Sequence, residues 1–381
     1  MISNLKIKNF KSHKDTSFEL KNLTILCGAN AVGKSSAIQA LLLLREAWLN
    51  KTDFQYLDLL SNPIKIGTAV DALYQFSEND IISFILTANE QQNEFNFETE
   101  VNDFTKTLIN ESLTQPNVFD IDAIKKLSLF STNFQYISAA RSGPQSFYPK
   151  DDVIVEKFMQ MSVMEGKAEY CINFLDKYQS RKVIKDLHSK NSRFDDLLSQ
   201  TIAWEKEISE DVNIIIKDNG KLGYELKFQF ETESETGKTN EFSSNNVGFG
   251  ISYILPVIVS ILSSKPDTLL ILENPEAHLH PKGQAKIAEL ICLAAQAGVQ
   301  IILETHSDHI INGILVQCKK FEEQQKGIDK NNVSIYHIDI DKEKHQSRIQ
   351  KINIEEDGLI RYTPKGFFDQ FTIDRKFLMG F

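Results

Sequence analysis

The sequence predicts an α/β fold with a parallel core sheet, and two observations predict this class. Near the N-terminus, an apolar strand at residues 23–27, a glycine-rich loop and an Ala/Leu-rich helix follow one another. Toward the C-terminus, short apolar runs at residues 267–273 and 299–304 flank a predicted helix that Gly298 ends. Buried strands that alternate with helices are typical of a parallel sheet with helical crossovers.

Other segments add an antiparallel β subdomain and a helical insertion. Residues 5–12 and 18–28 are typical of one strand each, and apolar residues alternate with polar ones at 81–89 and 93–101. Residues 211–233 predict a hairpin that turns at Asn219-Gly220, and residues 247–262 a helix bounded by glycine. Residues 150–210 are mostly helical in composition. We therefore divide the chain into residues 1–145, a helical insertion at 146–210, and residues 211–381.

The composition is that of a soluble globular protein, with 41% hydrophobic and 25% charged residues among 381. A formal net charge of −10 disfavours nucleic-acid binding over the whole surface but leaves room for a local basic patch. The four cysteines form no CxxC pair, which fits a reducing compartment. The start lacks a signal-peptide core, and the longest apolar run, 251–262, is short for a membrane span. We expect a cytoplasmic protein without a membrane partner.

A phosphate-binding loop is the most specific motif in the chain. Gly28-x4-Gly33-Lys34-Ser35 matches GxxxxGK[ST] in full, between a predicted strand and a predicted helix. In this motif the glycines turn backbone amides toward the phosphates, the lysine bridges phosphate oxygens and the serine ligates Mg²⁺. The sequence therefore predicts ATP or GTP with Mg²⁺ as cofactors. The residues expected to hold the nucleotide are Asn30, Ala31, Val32, Gly33, Lys34, Ser35 and Ser36, with Ser35 also on the metal.

Two later segments supply the remaining parts of a nucleotide site. Glu273 ends an apolar strand, where P-loop enzymes place the acid that holds Mg²⁺ through water. His306 ends the next predicted strand, where a histidine can donate to the γ-phosphate. Gly248 and Gly250 open the helix at 247–262 and would form a second anion site, unless they only end the polar loop. If the two anion sites lie on opposite faces, one nucleotide occupies both only in a dimer.

The chain resembles ABC-type ATPases of the SMC, RecF and OLD group. The resemblance rests on "LKIKNFKSHKDTSFELKNLTILCGANAVGKSS", on "ILENPEAHLHP" followed by "IILETHSDHIINGI", and on "GFFDQ". It covers residues 1–50 and about 245–370 and is closest to the OLD-like branch of short, stand-alone bacterial ATPases. It implies a Walker A loop at 28–36, Glu273 as the Walker B acid and His306 as the switch histidine. It also implies a D-loop at 277–280 and a signature at 247–252, which includes Gly248, Gly250 and Ser252.

The sequence departs from the pattern of that group in three places. No Q-loop glutamine is evident, and Asp71 is the nearest candidate for that position. The signature is not LSGGQ. Asn274 stands where the family has the glutamate that polarises the attacking water. Asparagine orients water but accepts no proton, and a lost base typically costs about 10²- to 10⁴-fold in rate. We therefore expect slow hydrolysis, with Asn274, Glu276 and His306 as the catalytic residues.

The favoured interpretation is an ATP-driven homodimer that regulates a separate effector such as a nuclease, and the resemblance points to anti-phage defence. A RecF-like DNA-binding ATPase and a non-hydrolysing scaffold that restrains a toxin remain alternatives. We expect no nuclease domain in this chain, because Asp339 and Asp341 are followed by few residues. A basic run with a helical face at 178, 182 and 185 is either a solvated helix surface, as such runs usually are, or the candidate contact for DNA or an acidic partner. Its cationic residues are Lys177, Arg181, Lys182, Lys185, Lys190 and Arg193.

Two further groups of residues have competing interpretations. Arg141 ends a predicted strand and would either sense phosphate or cap a helix. Histidines at 278, 280, 306 and 309 resemble a zinc cluster in spacing, but the nucleotide-site interpretation already accounts for each position. Phe367 and Phe368 of the "GFFDQ" element are expected in the core or at a dimer contact.

Overall fold

The computed structural model describes residues 1–50, 54–62, 64–98, 105–110, 121–163, 165–234, 237–368 and 370–379. These residues form two compact units. Unit 1 comprises Met1–Phe130, Leu303–Asp308 and Asp329–Phe381. Unit 2 comprises Ser131–Ile302 and His309–Ile328.

The secondary structure alternates strands and helices as the sequence predicts. The strands are β1 (Asn4–Phe10), β2 (His13–Glu19), β3 (Leu23–Gly28), β4 (Tyr56–Asp58), β5 (Ile81–Ala88), β6 (Gln91–Glu98), β7 (Thr107–Asn110), β8 (Phe134–Ile137), β9 (Val212–Asp218), β10 (Tyr224–Phe230), β11 (Phe242–Ser243), β12 (Leu269–Glu273), β13 (Gln300–Glu304), β14 (Val333–Asp341) and β15 (Gln346–Ile352). The α-helices are α1 (Lys34–Leu49), α2 (Ala69–Ala72), α3 (Ile121–Lys125), α4 (Cys171–Lys177), α5 (Leu197–Ile208), α6 (Phe249–Leu262), α7 (Pro281–Gln296), α8 (Asp308–Gln324) and α9 (Gln370–Leu378). Val153–Lys157 adds a π-helix.

Unit 1 contains the predicted antiparallel subdomain, a sheet with the strand order β2-β1-β5-β6-β7-β4. β1 and β6 largely alternate buried residues with more exposed ones, so one face packs inward, whereas β5 is buried along most of its length. Phe10 and Phe84 meet edge to face with ring centroids 5.2 Å apart, and Phe97 packs beside Phe84. This aromatic layer holds β1 against β5, and β1 leads through β2 to the phosphate loop.

Unit 1 also contains the strand that carries the phosphate loop. β3 is buried at every residue except the last and pairs in parallel with β14, which pairs antiparallel with β15. Fully buried, aliphatic strands are typical of parallel core sheets. β13 crosses from one unit to the other, and its last residues, Leu303 and Glu304, belong to unit 1. Directly after it, the Thr305 amide donates to the Leu26 carbonyl at 3.2 Å. The ends of β3 and β13 therefore lie side by side.

Unit 2 combines parallel strands, a hairpin and a helical layer. β8 and β12 pair in parallel, with Leu272 opposite Ile137. The predicted hairpin is β9 and β10, with Ile214 opposite Phe228, and its turn lies at residues 219–223 as expected. α5 packs against α6 and α7, and Gly283 of α7 lets Ile208 approach closely. α6 is buried almost throughout, even around Pro256.

Two sequence-based expectations about elements are wrong. The single strand predicted at 18–28 is two strands, β2 and β3, and β2 begins at His13. The helical face expected at 178, 182 and 185 does not form, because α4 ends at Lys177 and Tyr178 has non-helical dihedral angles. Lys182 lies instead in an isolated bridge to Asp196. The division at residues 145 and 210 stays a prediction.

Membrane insertion finds no support among the described helices. Within these residue ranges, none combines the length and the apolar content needed to cross a bilayer.

Phe367 of the "GFFDQ" element is buried, and its ring packs edge to face on His337 with centroids 5.8 Å apart. Asp369 of the same element lies outside the described residues.

Candidate nucleotide site

The phosphate loop of unit 1 has the backbone geometry that its glycines predict. Gly28 has φ +137°, and a Cβ there would lie 2.1 Å from the Ile338 carbonyl oxygen. Gly33 has φ +108°, and a Cβ there would lie 2.3 Å from Ser347 Oγ. Both positions therefore require glycine. His13 of the "NFKSH" motif bonds the Gly33 carbonyl through Nε2 at 2.9 Å and so fixes the loop from β2.

Lys34 and Ser35 begin α1 and point into the loop. Lys34 is only 3% exposed, and its Nζ donates to the carbonyl oxygens of Gly28 at 3.2 Å and Ala29 at 2.5 Å. Burial lowers the pKa of Lys34, and the nearby charge of Glu304 opposes that shift. Ser35 Oγ donates to the Glu304 carboxylate at 3.1 and 3.2 Å. The Lys34 ammonium is therefore a buried cation beside the phosphate loop.

A cavity of about 500 Å³ opens in front of this loop within unit 1. Its volume is in the range of small-molecule sites. Asp71, the candidate Q-loop residue, lies on its wall, but its carboxylate accepts from the Thr68 amide and hydroxyl and caps α2. Asn30 is exposed, and Val32 is buried and turns only backbone toward the loop. The remaining predicted loop residues line the cavity: Ala31, Gly33, Lys34, Ser35 and Ser36.

Glu304 is the last residue of β13, and His306 comes two positions later in the chain. Both residues belong to unit 1. His306 is exposed and Thr305 is buried, so the strand presents the histidine to solvent. Glu304 is only 5% exposed and contacts both Lys34 and Ser35. Sequence reasoning missed Glu304, although an acid two residues before the switch histidine, at the end of a buried strand, was a usable signal.

Glu273, the predicted Walker B acid, ends β12 in unit 2. Its carboxylate accepts from the Tyr136 hydroxyl and the Ala139 amide, each at 3.1 Å. Burial raises its pKa, and these two hydrogen bonds oppose the shift. β8 supplies Tyr136, so the parallel pair β8–β12 determines how this acid is held.

Asn274 and Glu276 form the turn after β12. Asn274 has φ +44°, in the left-handed region that asparagine occupies more readily than most residues. Its side-chain Nδ2 lies 3.5 Å from Glu276 Oε1. Glu276 is 8% exposed, so the turn folds this acid back beside the position where the family has its base. The structure thus brings the two residues together, as expected if Glu276 substitutes for that base.

Arg141 holds the backbone of this turn. It is 3% exposed and donates to four carbonyl oxygens, those of Ser138, Tyr253, Glu273 and Asn274, at 2.9–3.2 Å. Its guanidinium also lies 4.0 Å from the centre of the Tyr253 ring. Because these contacts use its donors, Arg141 orients the strand end and does not present a free cation to phosphate. The interpretation of Arg141 as a phosphate sensor is therefore corrected.

The glycine-rich segment before α6 has a different geometry from the one predicted. Gly248 is the N-cap of α6 and makes no side-chain cap hydrogen bond. Gly250 lies inside the first turn, and a Cβ there would be 2.5 Å from the His278 carbonyl oxygen, so its role is close packing. Ser252 is 4% exposed, and its part in the predicted signature stays a prediction. Phe249 is exposed and packs on His278 with ring centroids 4.6 Å apart.

Two other predicted groups show no built site. Among the residues that the structure describes, no group of three or more His, Cys, Asp or Glu side chains could hold a metal ion. In the basic run, Lys177 pairs with Glu156, and Lys182 pairs with Asp195 at 3.0 Å. Exposed pairs of this kind contribute little to stability. Arg181 lines a small polar pocket of about 140 Å³.

Two family models match this chain. A family model described as "AAA domain, putative AbiEii toxin, Type IV TA system" matches residues 23–312. A second, described as "Protein of unknown function (DUF3696)", matches residues 328–377. The first match spans the phosphate loop, Glu273 and His306, so the predicted motifs fall within one family domain.

Two curated relatives are nucleases by name. The chain is 22% identical over 354 residues to the Old nuclease of Escherichia phage P2, covering 84% of this chain and 59% of that protein. It is 23% identical over 328 residues to the OLD nuclease of Thermus scotoductus, covering 81% of this chain and 59% of that protein. The chain thus spans about three-fifths of the length of these relatives.

Solved structures show the same fold at low sequence identity. An SMC head bound to the C-terminal winged-helix domain of ScpA matches with a TM-score of 0.54 and 13% identity, covering 93% of this chain and 99% of that one. An SMC head from Pyrococcus furiosus with an extended coiled coil matches with a TM-score of 0.52 and 12% identity, covering 93% and 97%. These matches confirm the predicted fold, a P-loop NTPase of the ABC-ATPase type, and the resemblance to the SMC and OLD group.

Proposed function

Because the chain belongs to the family described as "AAA domain, putative AbiEii toxin, Type IV TA system" and has the fold of an SMC-type ATPase head, we propose that it is a slow, Mg²⁺-dependent ATPase switch. In this proposal it dimerises around ATP and regulates a separate effector. The observation that carries the proposal is the complete phosphate loop, in which the buried Lys34 and the exposed Ser35 both line a cavity of about 500 Å³.

The donor atoms at the loop fit Mg·ATP. Backbone amides at the start of α1 and the Lys34 ammonium suit a triphosphate. The Ser35 hydroxyl and nearby carboxylate oxygens suit Mg²⁺, which prefers oxygen ligands. When bound, Mg·ATP supplies the phosphoanhydride bond that water cleaves. Lys34 binds its phosphates, Ser35 ligates the metal, and Glu273 takes the Walker B role.

Slow hydrolysis follows from the turn after β12. Asn274 orients water without accepting its proton, so proton removal falls to Glu276, whose Oε1 lies 3.5 Å from Asn274 Nδ2. Arg141 fixes the carbonyls of Glu273 and Asn274 and thereby the direction of this turn. His306, exposed at the end of β13, donates to the γ-phosphate. A replaced base of this kind costs about 10²- to 10⁴-fold in rate.

Dimerisation is proposed from α6. Gly248 begins α6 without a side-chain cap hydrogen bond, and Phe249 is exposed beside it. A helix N-terminus attracts anions, and the γ-phosphate of a nucleotide held by a second copy is the anion that the family pattern implies. ATP would therefore connect two copies, and its hydrolysis would release them.

The effector is proposed from the relatives. Both are named nucleases and one comes from a phage, which supports a nuclease partner and a role in anti-phage defence. The family description names a toxin, which supports the restraint of a toxin as the alternative. Co-purification of the protein with its partners, with and without Mg·ATP, separates these outcomes by the chemistry of what is retained.

The binding claim is tested with Lys34→Ala. Lost charge-assisted hydrogen bonds should weaken equilibrium binding of a fluorescent ATP analogue by about 10- to 150-fold. Lys14→Ala is the matched control, because Lys14 is an exposed lysine of unit 1 that pairs with Glu78 outside the cavity. Equal affinity of Lys34→Ala and wild type, with both folded by circular dichroism, would refute nucleotide binding at this loop.

A further inference from the structure

Glu304 brings a carboxylate to the phosphate loop that the motif itself does not contain. It ends β13 within unit 1, two residues before His306. Both of its oxygens accept from Ser35 Oγ, at 3.2 and 3.1 Å, and Oε1 lies 3.8 Å from Lys34 Nζ. These two side chains are the ones that the loop motif assigns to Mg²⁺ and to phosphate. Glu304 therefore lies where metal and phosphate charges meet.

Because the Glu304 carboxylate is buried, its negative charge interacts strongly with the charges around it. A buried carboxylate needs a compensating cation, and Lys34 provides it here. When a triphosphate engages Lys34, that compensation is shared with the phosphates. The carboxylate and the phosphates then repel one another in a weakly screened environment. A divalent cation between them reverses the sign of this interaction, because Mg²⁺ binds carboxylate and phosphate oxygens together.

We propose that Glu304 is a carboxylate of the Mg²⁺ site, facing the metal beside Ser35, and that it makes this protein select Mg·ATP over free ATP. The inference rests on the proposed nucleotide binding at the loop and assigns a new residue to it. Without Mg²⁺, Glu304 opposes the triphosphate and keeps Lys34 paired. With Mg²⁺, the same carboxylate contributes a ligand, so metal and nucleotide bind cooperatively.

The test measures ATP affinity with excess Mg²⁺ and with chelator, in wild type and Glu304→Gln. In wild type, Mg²⁺ should raise ATP affinity by about 5- to 150-fold, the usual range of site coupling. In Glu304→Gln, free ATP should bind more tightly than to wild type, and the gain from Mg²⁺ should fall toward one. By reciprocity, the ATP complex of Glu304→Gln should also bind Mn²⁺ more weakly, as read by electron paramagnetic resonance.

Glu78→Gln is the matched control, because it makes the same charge change at an exposed residue of unit 1 and should behave as wild type. An undiminished Mg²⁺ gain in Glu304→Gln, or equal weakening with and without Mg²⁺, overturns the inference. If Glu304→Gln does not fold, Glu304→Asp retracts the carboxylate and must weaken Mn²⁺ binding; unchanged Mn²⁺ binding overturns the inference. Wild type that binds ATP without any Mg²⁺ gain refutes this inference alone, whereas wild type that binds no ATP refutes the proposed function.

Discussion

Asparagine at position 274 suits the backbone conformation of the turn after β12, and it also changes the chemistry that this turn can perform. The sequence shows only that an amide replaces an acid, whereas the structure shows that the residue has φ +44°. Asparagine tolerates this conformation better than glutamate does, because its short side chain bonds locally. Arg141 fixes the carbonyls of the two successive peptide units that flank the Cα of Asn274. Reintroducing a glutamate here would therefore strain the turn as well as supply a base.

His13 gives the fold a pH-dependent contribution. Burial lowers its pKa from 6.5 to about 4, against the opposing effect of its bond to the Gly33 carbonyl. The unfolded chain therefore takes up a proton first, so stability is full above pH 6.5 and falls as the pH drops toward 4. The loss should be about 3 kcal/mol. Chemical denaturation of wild type and His13→Gln across this range isolates the effect; a stability difference that does not change with pH would contradict it.

Arg141 should be a structural requirement of unit 2. Arg141→Met removes the hydrogen bonds of Arg141 to four buried or partly buried carbonyl oxygens, and we expect the free energy of unfolding to fall by about 3 kcal/mol or more. Arg141→Lys should recover only part of this loss, because lysine lacks the planar fork. Arg193→Met, at an exposed position of the same unit, should change stability by about 0.5 kcal/mol or less. Comparable losses of stability in Arg141→Met and Arg193→Met would show that the hydrogen bonds of Arg141 to these carbonyls contribute little to stability.

At the level of elements, a substitution at the start of α6 distinguishes the effect of close packing on stability from the effect of helix propensity. Alanine is normally favoured over glycine inside a helix, so Gly250→Ala would stabilise α6 if the helix were isolated. Its Cβ, however, would lie 2.5 Å from the His278 carbonyl oxygen. We therefore expect Gly250→Ala to destabilise the protein by about 1–3 kcal/mol in thermal or denaturant unfolding. Gly248→Ala, with its nearest neighbour at 4.0 Å, should cost about 1 kcal/mol or less; the reverse order would refute close packing here.

Elements with strong local patterns could be predicted from the sequence, and those shaped by tertiary contacts could not. β12, α7, the β9–β10 hairpin and the phosphate loop follow from apolar periodicity and turn residues. β2 was missed because its inward residues include the polar His13 and Thr16, which hide the alternation. The basic run after Lys177 showed charge spacing without apolar periodicity, and no helix forms there.

The same distinction applies to the candidate site. Ser35 and Lys34 could be placed because one short motif fixes them, and Asp71 lines their cavity as its position suggested. Glu304 contacts Ser35 across 269 residues of sequence, a pairing that only the parallel arrangement of strand ends creates. The burial of Ser252 could not be predicted from the sequence, because a serine in a signature-like segment gives no indication of it.

At the scale of the whole molecule, chain order and structural units differ. Unit 1 is assembled from three segments, and six of its residues, Leu303–Asp308, interrupt unit 2. A division of the chain by local composition cannot show that residues 303–308 belong to the same unit as the N-terminal segment. The phosphate loop, Glu304 and His306 belong to unit 1, and Glu273, Asn274 and Glu276 belong to unit 2.

The most direct test of the slow-switch proposal is the fate of ATP in a single turnover. With protein in excess over radiolabelled Mg·ATP, we expect bound ATP to have a half-life of about ten seconds to ten minutes, because a missing base lowers a typical kcat near 10 s⁻¹ by about 10²- to 10⁴-fold. Glu276→Gln should slow conversion further, while Glu78→Gln should match wild type. Conversion within about a second, as for an enzyme with a kcat near 10 s⁻¹, together with no effect of Glu276→Gln, would contradict the proposal.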